Sequence, residues 1–165
     1  MDAKGVLTEA FGRLPELVHT AVHGLTADQL RWQPAKGANS IGWLVWHLTR
    51  VQDDHVADVM GTEQVYAGGD WPAKFGLKDP GETGYGHDAS DVAAVAPESA
   101  QVLLDYYQAV HDRTVAWLAD LTEADLDRVV DDNWDPPVTL GVRLISVYDD
   151  DAQHAGQAAY VRGLL

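Results

Sequence analysis

The sequence predicts an all-α protein, a four-helix bundle with a long loop between its second and third helices. Three observations predict it. Four segments carry apolar residues at three- and four-residue steps, and none shows the two-residue alternation of a half-buried strand. A Gly- and Pro-rich stretch interrupts the pattern between the second and third of these segments. At 165 residues and 46% hydrophobic content, the chain is sized for one core, so a single domain over 1–165 is expected.

The first helix is predicted over 3–22, where Val6, Leu7, Ala10, Phe11, Leu14, Leu17, Val18, Ala21 and Val22 share a face, with Pro15 marking a kink or a late start. Thr26 is a capping residue for a short turn near 26–32, and Pro34, Gly37 and Asn39 then read as loop. Ser40 caps the second helix, predicted over 41–60 on the stripe Ile41, Leu44, Val45, Leu48, Val51, His55, Val56 and Val59, with Gly61 ending it.

From 62 to 95 the chain turns to Gly, Pro and Asp, far beyond the usual connection of about 4–6 residues, and such loops are commonly lids or binding loops. Trp71, Phe75 and Tyr85 are expected to form the apolar underside of a lid over the functional pocket. Pro97 and Glu98 suit the opening of a third helix, predicted over 97–121. A second capped turn near 122–128 repeats the first, with Thr122 and Asp125 echoing Thr26 and Gln29. After a polar link over 131–137, the fourth helix is predicted over 140–163, with Leu144, Val147, Asp151, His154, Ala158 and Val161 on one face.

Charge excludes several functions. Lys and Arg total 11 against 26 Asp and Glu, a net charge of -15, which repels phosphate backbones and anionic lipid. Neither nucleic acid nor a membrane is an expected partner. No apolar run approaches a membrane span, and the start MDAKGVLTEAFGRL lacks the basic segment and apolar run of a signal peptide, so the cytoplasm is the expected location. With no cysteine, a metal would need His, Asp, Glu or carbonyl ligands.

The last predicted helix interrupts its inward stripe with polar residues. Asp150 lies four residues before His154, about 6 Å away on one helix face, and the pair can reach one metal ion. His47, at the border of the second stripe, supplies a third ligand. Two imidazoles and a carboxylate leave positions open for water or substrate, as catalytic sites require. Three alternatives stand beside this. Asp151 rivals Asp150 as the carboxylate, since its phase also points inward. Asp54 or His55 would close the site as a structural one, although His55 is about 12 Å along the axis from His47 and the two cannot share one ion. Without a metal, the three residues form a polar cluster in which Asp150 pairs with a protonated imidazole. Tyr106, Tyr107, His111 and Trp117 either line the pocket or belong to core and surface.

The segment NSIGWLVWHLTRVQDDH resembles the second helix of the DinB-like superfamily of metal-binding bundles, whose first ligand is a His followed by Leu. DDAQHAGQAAYVRGLL is similar to that family's last helix, with the pattern His-x-x-x-His-x-Gly-Gln, and DPPVTLGVRL resembles the branch related to mycothiol-dependent maleylpyruvate isomerase. The resemblance implies that His47 is the first ligand and His154 the third, with Gly156 and Gln157 completing the motif. At the second ligand position, where His is commonest in the family, this chain has Asp150. It further implies a divalent metal (Zn, Ni, Fe or Mn) and a low-molecular-weight thiol such as mycothiol as cosubstrate, in an S-transferase or isomerase acting on a small electrophile. The alternatives are a non-catalytic metal-binding or ligand-sensing bundle, or a metal-dependent hydrolase. The acidic surface favours a neutral or weakly anionic substrate, with Arg50 or Arg143 offsetting charge locally. Pairing through exposed apolar helix faces predicts a homodimer.

Overall fold

In the computed structural model, which describes residues 1–165, the chain is mostly helical. The order is α1 (Ala3–Val22), α2 (Ala27–Arg31), α3 (Ile41–Met60), α4 (Trp71–Lys74), α5 (Ala89–Ala94), α6 (Ala100–Asp120), a 3₁₀ turn (Glu123–Asp127), β1 (Val129–Asp131), β2 (Val138–Thr139) and α7 (Leu140–Arg162). Both α1 and α3 pack on α6 and α7, and the core fills the space between them. α3 and α7 run antiparallel: the His47 and His154 rings are 4.9 Å apart, while further along α3 His55 meets Arg143 at 2.8 Å.

Local chemistry sets the helix starts. Asp2, Ser40 and Thr139 each accept a hydrogen bond from a first-turn backbone N–H, from Gly5, Trp43 and Val142 respectively. Such a cap stabilises a helix by about 1 kcal/mol. The two short turns carry the same reciprocal cap, Thr26 with Gln29 and Thr122 with Asp125, and both drive a leucine, Leu30 and Leu126, into the core. Gly61 ends α3 in the left-handed conformation at φ 67°.

The structure departs from the sequence expectations at four places. α1 runs through Pro15 because Leu7, Phe11, Leu14 and Val18 are buried on one face, and that burial outweighs the bond a proline removes, a cost of about 3 kcal/mol. The third long helix begins at Ala100, capped by Ser99; Pro97 instead packs against Gly42, where an added Cβ would stand 2.9 Å from its ring. A small antiparallel ribbon of β1 and β2 flanks the polar link, too short for an alternating pattern to register. The 62–95 segment is not structureless, since it holds α4 and α5 and sends Tyr66 and Phe75 into the core. That segment also covers the outer face of α3. Residues 40–53 are consequently buried on every side, including Thr49, Arg50, Gln52 and Asp53, where an amphipathic stripe was expected.

Candidate metal centre

α3 supplies His47, which is 4% exposed, and α7 supplies Asp150 and His154 one turn apart. Each offers one ligating atom, and the three atoms lie within 4.8 Å of one another. Asp150 Oδ1 is 3.7 Å from His154 Nε2. Helix spacing brings the α7 pair to one face. Only the packing of α3 on α7 brings in His47.

Second contacts define which ring nitrogen is available. His47 Nδ1 lies 2.5 Å from the Thr83 carbonyl oxygen, which can only accept, so Nδ1 carries the proton and donates. His154 Nδ1 donates to Gln157 Oε1 at 3.0 Å. Both rings therefore keep the Nε2 lone pair free, the usual arrangement of metal-ligating histidines. Asp150 Oδ2 is buried without any hydrogen-bond partner. Burial pushes the His47 imidazole below its ordinary pKa, with His154 and His87 adding to the fall and the Thr83 carbonyl and Asp150 opposing it. A neutral imidazole is the form that ligates. The donor set fits a divalent cation, and it contains no fourth His, Asp or Glu.

Aromatic side chains hold the cluster. Trp43 stacks on His47 at 4.6 Å, meets His154 edge-on at 6.1 Å, and donates its indole N–H to His87 Nδ1 at 3.1 Å. His87 in turn stacks on Trp46 at 5.7 Å, and the edge-on Tyr85 ring lies 5.3 Å from His47. The 62–95 segment thus reaches the cluster through Thr83, Gly84, Tyr85 and His87. Of the residues expected beneath a lid, Trp71 and Phe75 pack instead against Tyr106, at 5.2 and 5.8 Å. Sequence reasoning missed Trp43, Thr83, Gly84 and His87. Trp43, one turn before His47, was the only one whose position along the helix could have signalled it.

The other candidates lie elsewhere. Asp151 is fully buried with both oxygens unpartnered, and burial, then Asp150, raises its pKa well above the carboxylate range; it is not one of the three gathered residues. Asp54 accepts from Gln64 Nε2 at 2.6 Å, and His55 Nδ1 faces Arg143, which also pairs with Asp131 at 3.0 Å. Arg50 is completely buried, so it is closed to a substrate. Tyr106, Tyr107 and His111 are core residues. On one side of the cluster, an apolar cavity of about 460 Å³ is lined by Leu44, Gln157, Tyr160 and Val161. On the other, a polar cavity of about 410 Å³ is lined by Asp54, His55, Asp58, Asp131 and Arg143.

Fold and cluster together define a helical protein with a candidate His₂-carboxylate metal centre between two of its long helices. The DinB superfamily model matches residues 10–158, and the chain belongs to that superfamily. It is similar to the crystal structure of a conserved protein from Enterococcus faecalis, with a TM-score of 0.90 and 32% identity over 98% of this chain and 96% of that one. No curated protein matches the sequence. No helix is long and apolar enough to cross a membrane.

Proposed function

We propose that this protein is a metal-dependent enzyme on a four-helix bundle, in which His47, Asp150 and His154 hold a divalent Zn, Ni, Fe or Mn ion. The reaction is transfer or isomerisation involving a low-molecular-weight thiol, of the mycothiol kind, and a small electrophile. One observation carries the reading: both imidazoles have Nδ1 engaged and Nε2 free, beside a buried carboxylate oxygen with no partner. Three protein donors leave coordination positions open, which supports turnover over a closed structural site.

A bound divalent ion would favour thiolate over thiol at neutral pH. The chain's own residues orient and shield. Thr83 and Gln157 hold the two rings in the ligating tautomer. Trp43, stacked on His47, gives the cluster an apolar wall. The apolar cavity beside Gln157 suits the body of a small electrophile, with Leu44 and Val161 supplying apolar lining.

The test is metal analysis of untagged protein, followed by thiol conjugation assays with a panel of electrophiles. Stoichiometric metal that is lost in His47→Ala, Asp150→Ala and His154→Ala, together with thiol-dependent turnover, is the expected result. Metal-loaded protein that transfers no thiol to any electrophile would defeat the enzymatic reading, and retention of full metal by His47→Ala would defeat the ligand set.

A further inference from the structure

Arg50 has no exposed surface, and its donors are shared between two loop carbonyls and three side chains, Asp53 among them. A guanidinium has five N–H donors in a rigid fork, and here each finds an acceptor. Nε donates to the Glu82 carbonyl at 2.8 Å; Nη2 donates to Gln64 Oε1 at 2.7 Å and to the Pro80 carbonyl at 3.4 Å. Nη1 donates to the Tyr106 hydroxyl at 3.2 Å and to Asp53 Oδ2 at 3.4 Å. Asp53 has shorter partners of its own, the backbone N–H groups of Val65 and Tyr66 at 2.9 and 2.8 Å and the Tyr106 hydroxyl at 2.9 Å.

Two of the five donors thus grip carbonyls just before Thr83, whose own carbonyl receives the His47 Nδ1 proton. Arg50 and His47 stand three residues apart on α3, so one short stretch of loop is held by adjacent turns of one helix. The next residue is Gly84, at φ +98°, where an added Cβ would stand 2.5 Å from His47 Nδ1 and 3.1 Å from the Trp46 ring. Only a residue without a side chain lets the loop lie this close.

We propose that Arg50 is the positioning residue of the metal centre: by gripping the Pro80 and Glu82 carbonyls it sets the Thr83 carbonyl against His47 and holds that ring with Nε2 toward the ion. The inference rests on the metal reading above and adds a reciprocal consequence. If loop docking favours metal binding, metal binding must favour loop docking by the same factor.

The experiment uses the full chain and zinc alone, with Arg50→Lys, which keeps the charge and loses the fork, and Gly84→Ala, which pushes the loop away from His47 without altering the Arg50 side chain. Lys36→Ala, at an exposed position outside the loop and the site, is the control. Zinc affinity is measured by chelator competition at pH 8, the His47 tautomer by long-range ¹H–¹⁵N spectra of the metal-free protein, and loop docking by the rate of protease cleavage within 76–87. Expected are zinc binding roughly 10–100-fold weaker in both variants, a loss of the pure Nδ1–H form of His47, faster cleavage, and slowing of wild-type cleavage by zinc. The control stays within about twofold of wild type. Wild-type affinity and an unchanged tautomer in Arg50→Lys would overturn the proposal; if that variant fails to fold, Gln64→Leu, which removes the shortest Arg50 bond at a half-buried position, decides in the same way, and Gly84→Ala reports on the loop contact alone. Should wild-type protein bind no zinc and, in the same competition, no nickel, iron or manganese, the metal reading falls, while the tautomer and cleavage rates still decide whether Arg50 positions His47.

Discussion

His154 donates its Nδ1 proton to Gln157 Oε1 at 3.0 Å, one turn further along the same helix. His47 has no such neighbour on α3 and takes its orientation from the Thr83 carbonyl. The two rings of one candidate centre are therefore held by different means, one by helix geometry and the other by the docking of a distant loop.

Gln157→Leu should weaken zinc binding by roughly tenfold while leaving thermal stability nearly unchanged, because Gln157 is exposed and its partner is a ring that orients rather than packs. Isothermal titration with zinc beside a melting curve checks it. An unchanged affinity would mean that His154 is oriented by the ion alone.

His55→Ala should retain full metal occupancy where His47→Ala loses it, since His55 Nδ1 faces Arg143 and is not one of the gathered residues. Elemental analysis of the two variants, purified side by side, gives the answer.

Asp53→Ala should destabilise the fold by about 3–5 kcal/mol, the usual result of leaving one partner of a buried pair uncompensated. Arg50 and Asp53 are 0% and 1% exposed, and removal of the carboxylate also strands the Val65 and Tyr66 N–H groups. Urea unfolding measures the loss, and a change below about 1 kcal/mol would show that the loop relaxes to satisfy these groups.

Phe75→Ala should cost about 3–5 kcal/mol, as for a core aromatic, although Phe75 lies within the long connection between α3 and α6. It is fully buried against Tyr66 and Tyr106, at 6.1 and 5.8 Å. The same urea experiment distinguishes this from a loosely laid loop, for which truncation would change little.

Acidification should remove the contribution of His111 to stability as pH falls below about 6.5, while the buried Asp151, whose carboxyl is pushed up, acts in the opposite sense. The folded-state pKa of this buried ring, whose Nδ1 has no partner, is pushed down from 6.5 by desolvation, with Asp112 opposing. The unfolded chain then binds more protons at this group in that range, so the His111 contribution rises with pH through it and is complete above the unfolded value. His111→Leu should flatten the slope of unfolding free energy between pH 7.5 and 5.5, measured from urea midpoints. An unaltered slope would assign the acid sensitivity to other groups, such as His55, which burial and Arg143 shift the same way.

Much of the scaffold was legible in the sequence. The bounds of α1 and α3 agree with the predicted 3–22 and 41–60, because burial on a 3.6-residue period and, for α3, the Ser40 and Gly61 ends act within a turn or two of chain; the Asp2 cap of α1 was not read. The repeated Thr-led turns were legible for the same reason. The start of the third long helix was misread because Pro97 has two uses, opening a helix or filling space beside a glycine, and only the position of Gly42 decides between them.

By itself, then, the sequence determined the four long helical stripes, the Ser40 and Gly61 ends of the second, the α7 spacing of Asp150 and His154, and the presence of a connection too long to be a simple turn. These depend on neighbours along the chain. Tertiary structure decided that α3 is buried all round, that Arg50 faces inward, and that the Thr83 carbonyl meets His47. A backbone carbonyl is the same in every residue, so no side-chain pattern announces where it will dock. A buried arginine reads in sequence like an exposed one until the loop that accepts its five N–H groups is folded over it.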